Sequence, residues 1–149
     1  MTMDLTKIDP AQLKSALQQD MLIDIVTIGA KSGLERTTEI WYMNLQGRIV
    51  ICGTPGVRRE DGQRKQRDWL SNIIKTPQFQ FCFKESISLC LPAEGTVVCN
   101  PDDRQTIMTA SETRWYRQQG YSIEELVNGS PILNVKFLPP VDFLNITGS

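Results

Sequence analysis

Three β-rich segments follow one another in the first half of the chain with no helical segment between them. They cover residues 22–30, 37–45 and 48–54 and are rich in β-branched and aromatic residues. A polar turn at residues 31–36 and the Gln46-Gly47 pair separate them, and glycine tolerates the positive φ that a tight hairpin demands. Because connections this short join antiparallel strands, the sequence predicts a sheet that begins as an antiparallel meander.

The rest of the chain adds further strands and several short helices. Strands are predicted over residues 79–84, 87–99, 132–138 and 141–146. In the second of these, Pro92 indicates an edge strand or a bulge. Helices are predicted over residues 11–19, 67–75 and 100–119, with one more opening at Ser122. Since six or seven short antiparallel strands cannot leave long apolar edges exposed, we expect closure into a small barrel.

Length and charge limit the domain count and the partners. The chain has 149 residues and shows no linker or repeat, so we predict one domain over residues 1–149. Sixteen Lys and Arg oppose seventeen Asp and Glu, which gives a net charge of -1. No global field would therefore hold the chain on nucleic acid or on an anionic membrane, and we expect neither as a partner.

The chain contains no histidine. This excludes Ser-His-Asp hydrolysis, Cys-His catalysis and His-ligated haem, and it removes nearly every catalytic zinc arrangement. No metal site is predicted. Any chemistry must therefore rely on other side chains or on a bound cofactor.

The cysteines indicate the cellular compartment. Cys52, Cys82, Cys90 and Cys99 form no CxxC pair, which argues against a zinc ribbon or thioredoxin-type chemistry. All four lie in apolar strand-like stretches, so they are predicted to pack in the core as free thiols, which suits a reducing cytoplasm. The charged N-terminal segment has no apolar h-region, and no run is apolar enough to span a bilayer. We expect a cytoplasmic protein.

Two polar segments could bind an anion. The turn that carries Lys31, Ser32 and Arg36, followed by Thr38 on the returning strand, brings cations, hydroxyls and turn amides together in a way that suits a phosphate. The alternative is a solvated turn with ordinary surface charges. The loop Val57 to Gln66, with the adjoining Arg67, is locally basic and could cover an anionic ligand or remain a solvated loop.

Aromatic residues and one carboxylate are further candidates. Trp41, Trp69 and Trp115, with the tyrosines at 42, 116 and 121, could stack on a planar ring, although core burial is the commoner fate of such residues. Glu39, in an otherwise apolar strand, is expected either to pair with Arg36 or Arg48 or to point into a ligand pocket, because an unpaired buried charge is too costly.

Four motifs in order carry a family resemblance. They are the G-A-K-S-G-L-E-R turn from Gly29 to Arg36, the aromatic pair Trp41-Tyr42, the glycine-rich strand end from Gly53 to Gly56, and the D-W-L-S-N helix leading to Pro77. With this spacing, residues 25–100 resemble the split-β-barrel nitroreductase-like proteins that bind FMN or the deazaflavin coenzyme F420, relatives of the pyridoxamine-phosphate-oxidase-type flavoproteins. The loop Val57 to Gln66 is longer than the family pattern.

The resemblance implies a mainly β (α+β) fold, a six- to seven-stranded antiparallel split β-barrel with short peripheral helices. It also implies a homodimer that holds FMN or F420 between its subunits. Carried over by position, the phosphate-side residues are Lys31, Ser32, Arg36 and Thr38, and the residues along the ring or ribityl chain are Gly53, Thr54 and Pro55, with Trp69 supporting the pocket wall. No catalytic residue is assigned; a tyrosine could donate a proton.

The function expected from this resemblance is that of a flavoprotein oxidoreductase. It would transfer a hydride from the reduced cofactor to a small-molecule electrophile such as a quinone or a nitro compound. This fits the missing histidine, because the cofactor carries the difficult chemical step. The alternative is a non-enzymatic split barrel that binds a flavin or a related ligand.

Overall fold

Six strands form a closed antiparallel barrel in the order β1-β2-β3-β6-β5-β4. The structure is a computed structural model that describes residues 8–56, 60–61 and 65–145. The strands are β1 (Leu22–Ile28), β2 (Glu35–Leu45), β3 (Arg48–Cys52), β4 (Gln78–Phe83), β5 (Leu89–Val97) and β6 (Ile132–Phe137). The prediction of a small antiparallel barrel that begins as a meander is confirmed.

Five short helices lie around the barrel in the described part of the chain. They are α1 (Pro10–Gln19), α2 (Asp68–Lys75), α3 (Pro101–Thr109), α4 (Arg114–Arg117) and α5 (Ile123–Gly129). Side chains cap several of their amino ends: Asp9 accepts from the Ala11 amide, and Ser122 with Glu125 forms a complete capping box. None of the described helices is long and apolar enough to cross a membrane.

The barrel interior is filled by alternate residues of the strands. Phe81 packs edge to face against Tyr42, Phe83 and Phe137, with ring centroids 5.0–5.4 Å apart. Gly95 allows α2 to pack closely on this core, because a Cβ at this position would lie 2.8 Å from side-chain atoms of Ile73 and Leu133. Helix α2 is therefore seated against β5 because residue 95 has no side chain.

A second apolar cluster lies between the strands and helices α3 to α5. Its buried members include Met43, Val50, Ile107, Met108 and Leu126. The Arg104 guanidinium donates to the carbonyls of Val98, Val127 and Ser130 and so ties α3 to β5 and to the end of α5. These helices therefore form an outer layer on one side of the barrel.

Two predicted elements, one helix and one strand, are wrong. The helix expected over residues 100–119 is interrupted at Ala110, whose backbone is extended, and a 3-10 turn precedes α4. The last expected strand, residues 141–146, contains a 3-10 turn at Asp142–Leu144, where Asn145 bonds both backbone groups of Phe137. Its final residue lies outside the described part of the chain.

Pro92 marks neither an edge strand nor a bulge. Strand β5 pairs with β4 and with β6, and its register with β4 runs without a break from Leu89 to Glu94. The Pro92 carbonyl accepts from the Leu138 amide, just past the end of β6. The missing proline N–H is tolerated because it faces β6, where the β5–β6 ladder ends at the pair Ala93 and Phe137.

The prediction of four buried free thiols is also wrong. Register places Cys82 opposite Cys90 on the paired strands β4 and β5, and the two form a disulfide. Cys52 is a buried free thiol, and burial raises its pKa to about 12. Cys99 is free and exposed. The cytoplasmic location stays a prediction.

Candidate functional site

The turn between β1 and β2 closes on itself through backbone hydrogen bonds. The Gly29 amide donates to the Leu34 carbonyl over 2.8 Å, and the Gly33 amide donates to the Gly29 carbonyl over 2.9 Å. Gly33 has a φ of 71°, a left-handed conformation that glycine adopts at little cost. The turn is therefore a defined structure, and β2 begins at Glu35, two residues earlier than the sequence predicted.

Two predicted phosphate residues meet above Gly29. A Cβ built on this glycine would lie 2.5 Å from Ser32 Oγ and 3.6 Å from Arg36 Cγ. Ser32 Oγ also accepts from the Leu34 amide over 3.2 Å, which fixes the hydroxyl over the turn. Because Gly29 has no side chain, Ser32 and the Arg36 stem can pack directly over it. A hydroxyl and a guanidinium are groups that bind phosphate, so the donors at this turn fit a phosphate group.

Strand register places Arg36 and Thr38 on the inner side of the barrel. Arg36 is opposite Thr27 and Thr38 is opposite Ile25, and cross-strand partners share a face of the sheet. Both β1 partners are fully buried, yet Arg36 is exposed and Thr38 is half-buried. The reason is that β3 pairs with β2 only over Tyr42–Leu45, so the first half of β2 borders an opening in the barrel.

Helix α2 holds the turn from one side. The Asn72 Oδ1 accepts from the Ala30 amide over 2.9 Å, and the Asn72 Nδ2 donates to Thr27 Oγ1 over 3.0 Å. The Lys75 ammonium donates to the Ala30 carbonyl over 2.7 Å. Both backbone groups of Ala30 are therefore bound by side chains of one helix, which fixes the turn relative to α2.

The predicted ring-side segment, Gly53 to Pro55, lies at the other end of α2. Arg67, which precedes α2, donates to the Thr54 carbonyl over 3.0 Å and to Thr54 Oγ1 over 2.8 Å. Trp69 is buried, and a Cβ at Gly53 would lie 3.9 Å from its ring. The structure therefore connects the two predicted groups of residues through α2. It leaves Lys31, Ser32 and Arg36 exposed and Trp69 in the core.

A cleft of about 800 Å³ lies beside the ring-side segment. Its lining includes Gly56, Arg67 and Arg104, together with residues from β5 and from α5. None of the predicted cofactor residues lines it, neither those on the phosphate side (Lys31, Ser32, Arg36 and Thr38) nor those on the ring side (Gly53, Thr54, Pro55 and Trp69). Much of the predicted basic loop over residues 57–66 falls outside the described residues.

Three other sequence candidates have structural roles. Glu39 is exposed on the outer face and accepts from the Lys84 ammonium over 2.6 Å, so neither expected arginine is its partner. Tyr42 and Tyr116 donate to backbone carbonyls, and burial raises the pKa of both phenols. Phenols that are already hydrogen-bonded and hard to ionise do not fit the role of proton donor to a substrate.

Sequence reasoning assigned no role to Asn72 or Lys75. Asn72 belongs to the D-W-L-S-N motif, and its spacing places it on the same helix face as Trp69 and Ile73, which was a usable signal. The only sign for Lys75 was its place in the last turn of α2, where a cation is common because it offsets the helix dipole. Its contact with Ala30 depends on how α2 packs against β1.

Comparison with known proteins places the fold. No family model matches the sequence, and no curated protein does so. Among solved structures, one from Bacteroides thetaiotaomicron, provisionally described as a 5-nitroimidazole antibiotic resistance protein, aligns with a TM-score of 0.62 at 8% identity, covering 87% of this chain and 80% of that one.

Two further structures extend this similarity. One from Listeria innocua, provisionally described as a pyridoxamine 5'-phosphate oxidase, gives a TM-score of 0.61 at 7% identity over 86% of this chain and 92% of that one. An F420 reductase gives a TM-score of 0.52 at 14% identity over 84% and 92%. Identities this low establish the fold alone. The chain has the split-barrel fold that its sequence motifs imply, and it shares that fold with these three structures.

Proposed function

We propose that the protein is an oxidoreductase that binds FMN or the deazaflavin coenzyme F420. The turn at Gly29 carries this proposal, because the Ser32 hydroxyl and the Arg36 side chain meet there beside an opening of the barrel. Lys31 and Thr38 would complete the phosphate side, and Gly53, Thr54 and Pro55 would lie along the ribityl chain or the ring. Trp69 would support that segment from the core. When bound, the cofactor would supply the hydride.

The protein's own residues would bind and orient the cofactor. Arg67 holds the Thr54 backbone and hydroxyl, so the ring-side segment is positioned before any ligand arrives. The adjoining cleft of about 800 Å³ offers space for a small electrophile such as a quinone or a nitro compound. Proton transfer is not assigned to a side chain.

We further propose a homodimer that holds the cofactor between its subunits. Trp41 and Trp115 support a dimer interface, because they form an exposed edge-to-face pair with ring centroids 5.2 Å apart. Exposed aromatic pairs are typical of interface centres. Light scattering should give a dimer mass, and Trp41→Glu should lower it to that of the monomer. A wild-type monomer at micromolar concentration would contradict the dimer.

Spectroscopy tests the cofactor directly. We expect purified protein to bind FMN or F420 with micromolar affinity or better, and Arg36→Ala to weaken that binding by about 1 to 3 kcal/mol, the value of a hydrogen bond to a charged group. Binding followed by menadione reduction with a supplied reductant would establish an enzyme, and binding without turnover would indicate a ligand-binding module. If neither cofactor binds, the proposal fails.

A further inference from the structure

Three cations surround the turn that we assign to the phosphate. Lys31 lies in the turn, the Arg36 stem packs over Gly29, and the Lys75 ammonium is bound to Ala30 from α2. Within the residues that the structure describes, none of the three takes part in an ion pair. Glu35 is the only carboxylate in the segment from Gly29 to Arg36. The turn therefore carries a local excess of positive charge.

These groups retain hydrogen-bond donors for a ligand. An ammonium has three N–H groups, and Lys75 commits one of them to Ala30. Ser32 Oγ accepts from Leu34 and keeps its own O–H to donate. The Asn72 amide, in contrast, is fully committed to Ala30 and Thr27 on the inner side of the turn. Lys75 is thus the one group on α2 that both touches the turn and keeps free donors.

We propose that Lys75 is a third ligand of the phosphate and that the cluster of Lys31, Arg36 and Lys75 selects a phosphate monoester dianion. This inference rests on the proposed function and narrows it: FMN ends in a monoester, whereas the phosphate of F420 is a diester with a single charge. The three cations and the single carboxylate of Glu35 give the turn a net charge of +2. Such a site favours a dianion over a singly charged phosphate, because each additional negative charge on the ligand adds Coulomb attraction.

The absence of histidine makes this proposal testable by pH. A phosphate monoester loses its second proton with a pKa near 6. Lysine and arginine as residue types keep their charge between pH 5 and pH 7, and carboxylic acids as a class ionise at lower pH. With no imidazole in the chain, a change in affinity across this range reports the ligand's own phosphate.

The experiment compares FMN, riboflavin and F420 binding to wild type and to Lys75→Gln, followed by flavin or deazaflavin fluorescence. Glutamine retains an N–H donor for Ala30 but not the charge. We expect Lys75→Gln to weaken FMN binding about tenfold and to leave riboflavin affinity unchanged. Wild-type affinity for FMN should fall roughly tenfold from pH 7 to pH 5, with a smaller fall in the variant. Lys14→Gln, on the exposed face of α1, is the matched control.

The outcomes separate this inference from the proposed function. If wild type binds neither FMN nor F420, both fail. If wild type binds F420 more tightly than FMN, or binds FMN with an affinity that does not change between pH 5 and pH 7, the proposed function stands and the dianion assignment is overturned. If Lys75→Gln weakens FMN and riboflavin equally, Lys75 only supports the turn and is not a phosphate ligand. If the variant binds FMN as wild type does, the inference is likewise overturned.

Discussion

Replacing Asn72 with alanine should destabilise the fold and loosen the candidate site together. The side chain is buried and makes two hydrogen bonds, to the Ala30 amide and to Thr27 Oγ1. Each such bond contributes a net of about 1 kcal/mol, and a buried group left without a partner costs about 1 to 3 kcal/mol more. Water can replace the bond to the half-buried Ala30, but Thr27 is 1% exposed and cannot be rehydrated. The expected loss is about 2 to 4 kcal/mol.

Urea unfolding followed by tryptophan fluorescence measures this loss, and a double-mutant cycle with Thr27→Val assigns it. Each single variant strands one partner, whereas the double variant removes both, so the double should cost about 1 kcal/mol less than the sum of the singles. Asn128→Ala, an exposed asparagine on α5, should change stability by less than about 0.5 kcal/mol. The reasoning is refuted if Asn72→Ala changes stability as little as Asn128→Ala does, or if the effects of Asn72→Ala and Thr27→Val simply add. The hydrogen bonds of Asn72 would then not stabilise the packing of α2 against β1.

Three further perturbations test other parts of the structure. Arg48 lowers the pKa of Asp103 through a bidentate pair, so the pair stabilises the fold above about pH 4 and this stabilisation is lost as the pH falls through the folded pKa. The free energy of unfolding, obtained from urea titrations between pH 6 and pH 3, should fall more in wild type than in Asp103→Asn. The difference should be at most about 1 kcal/mol, because both side chains are about a third exposed. Gly95→Ala should lower the free energy of unfolding by about 1 to 3 kcal/mol through overpacking. An unchanged thermal midpoint would contradict the close packing of α2 against Gly95. Reducing the Cys82–Cys90 disulfide should expose two more thiols to alkylation and lower stability by about 2 kcal/mol, measured by thiol counting and thermal unfolding.

Local patterns were enough to predict most of the barrel. The β-rich composition of β1 and the Gln46-Gly47 turn depend on neighbouring residues alone, and the strand and the hairpin both appear as expected. The interrupted helix after Asn100 could not be predicted this way. There the Thr113 hydroxyl and the Arg117 guanidinium bind the Ala110 carbonyl, and these contacts stabilise a break in a segment of ordinary helix propensity.

The candidate site shows the same division. Ser32 and Arg36 belong to the same short segment between β1 and β2 as Gly29, so their proximity to this glycine followed from sequence spacing. The Cys82–Cys90 disulfide and the Lys75 contact required knowledge of strand register and of helix packing, which join residues that the sequence separates. Sequence spacing therefore predicts which candidate ligand residues lie close together more readily than it predicts the residues that hold them in place.

Helix α2 sets the geometry between the two halves of the site. Arg67 and Trp69 at its amino end hold the segment from Gly53 to Pro55, and Asn72 and Lys75 at its carboxyl end hold the turn. Eight residues of α-helix span about 12 Å, so a rigid element separates the proposed phosphate and ring positions. A flavin also carries its phosphate and its ring at opposite ends of a ribityl chain. Because one helix fixes both ends, a shift of α2 on the barrel would displace the phosphate and ring contacts together. Cofactor affinity should therefore respond to substitutions that change the packing of α2 as well as to substitutions of the cofactor-binding residues.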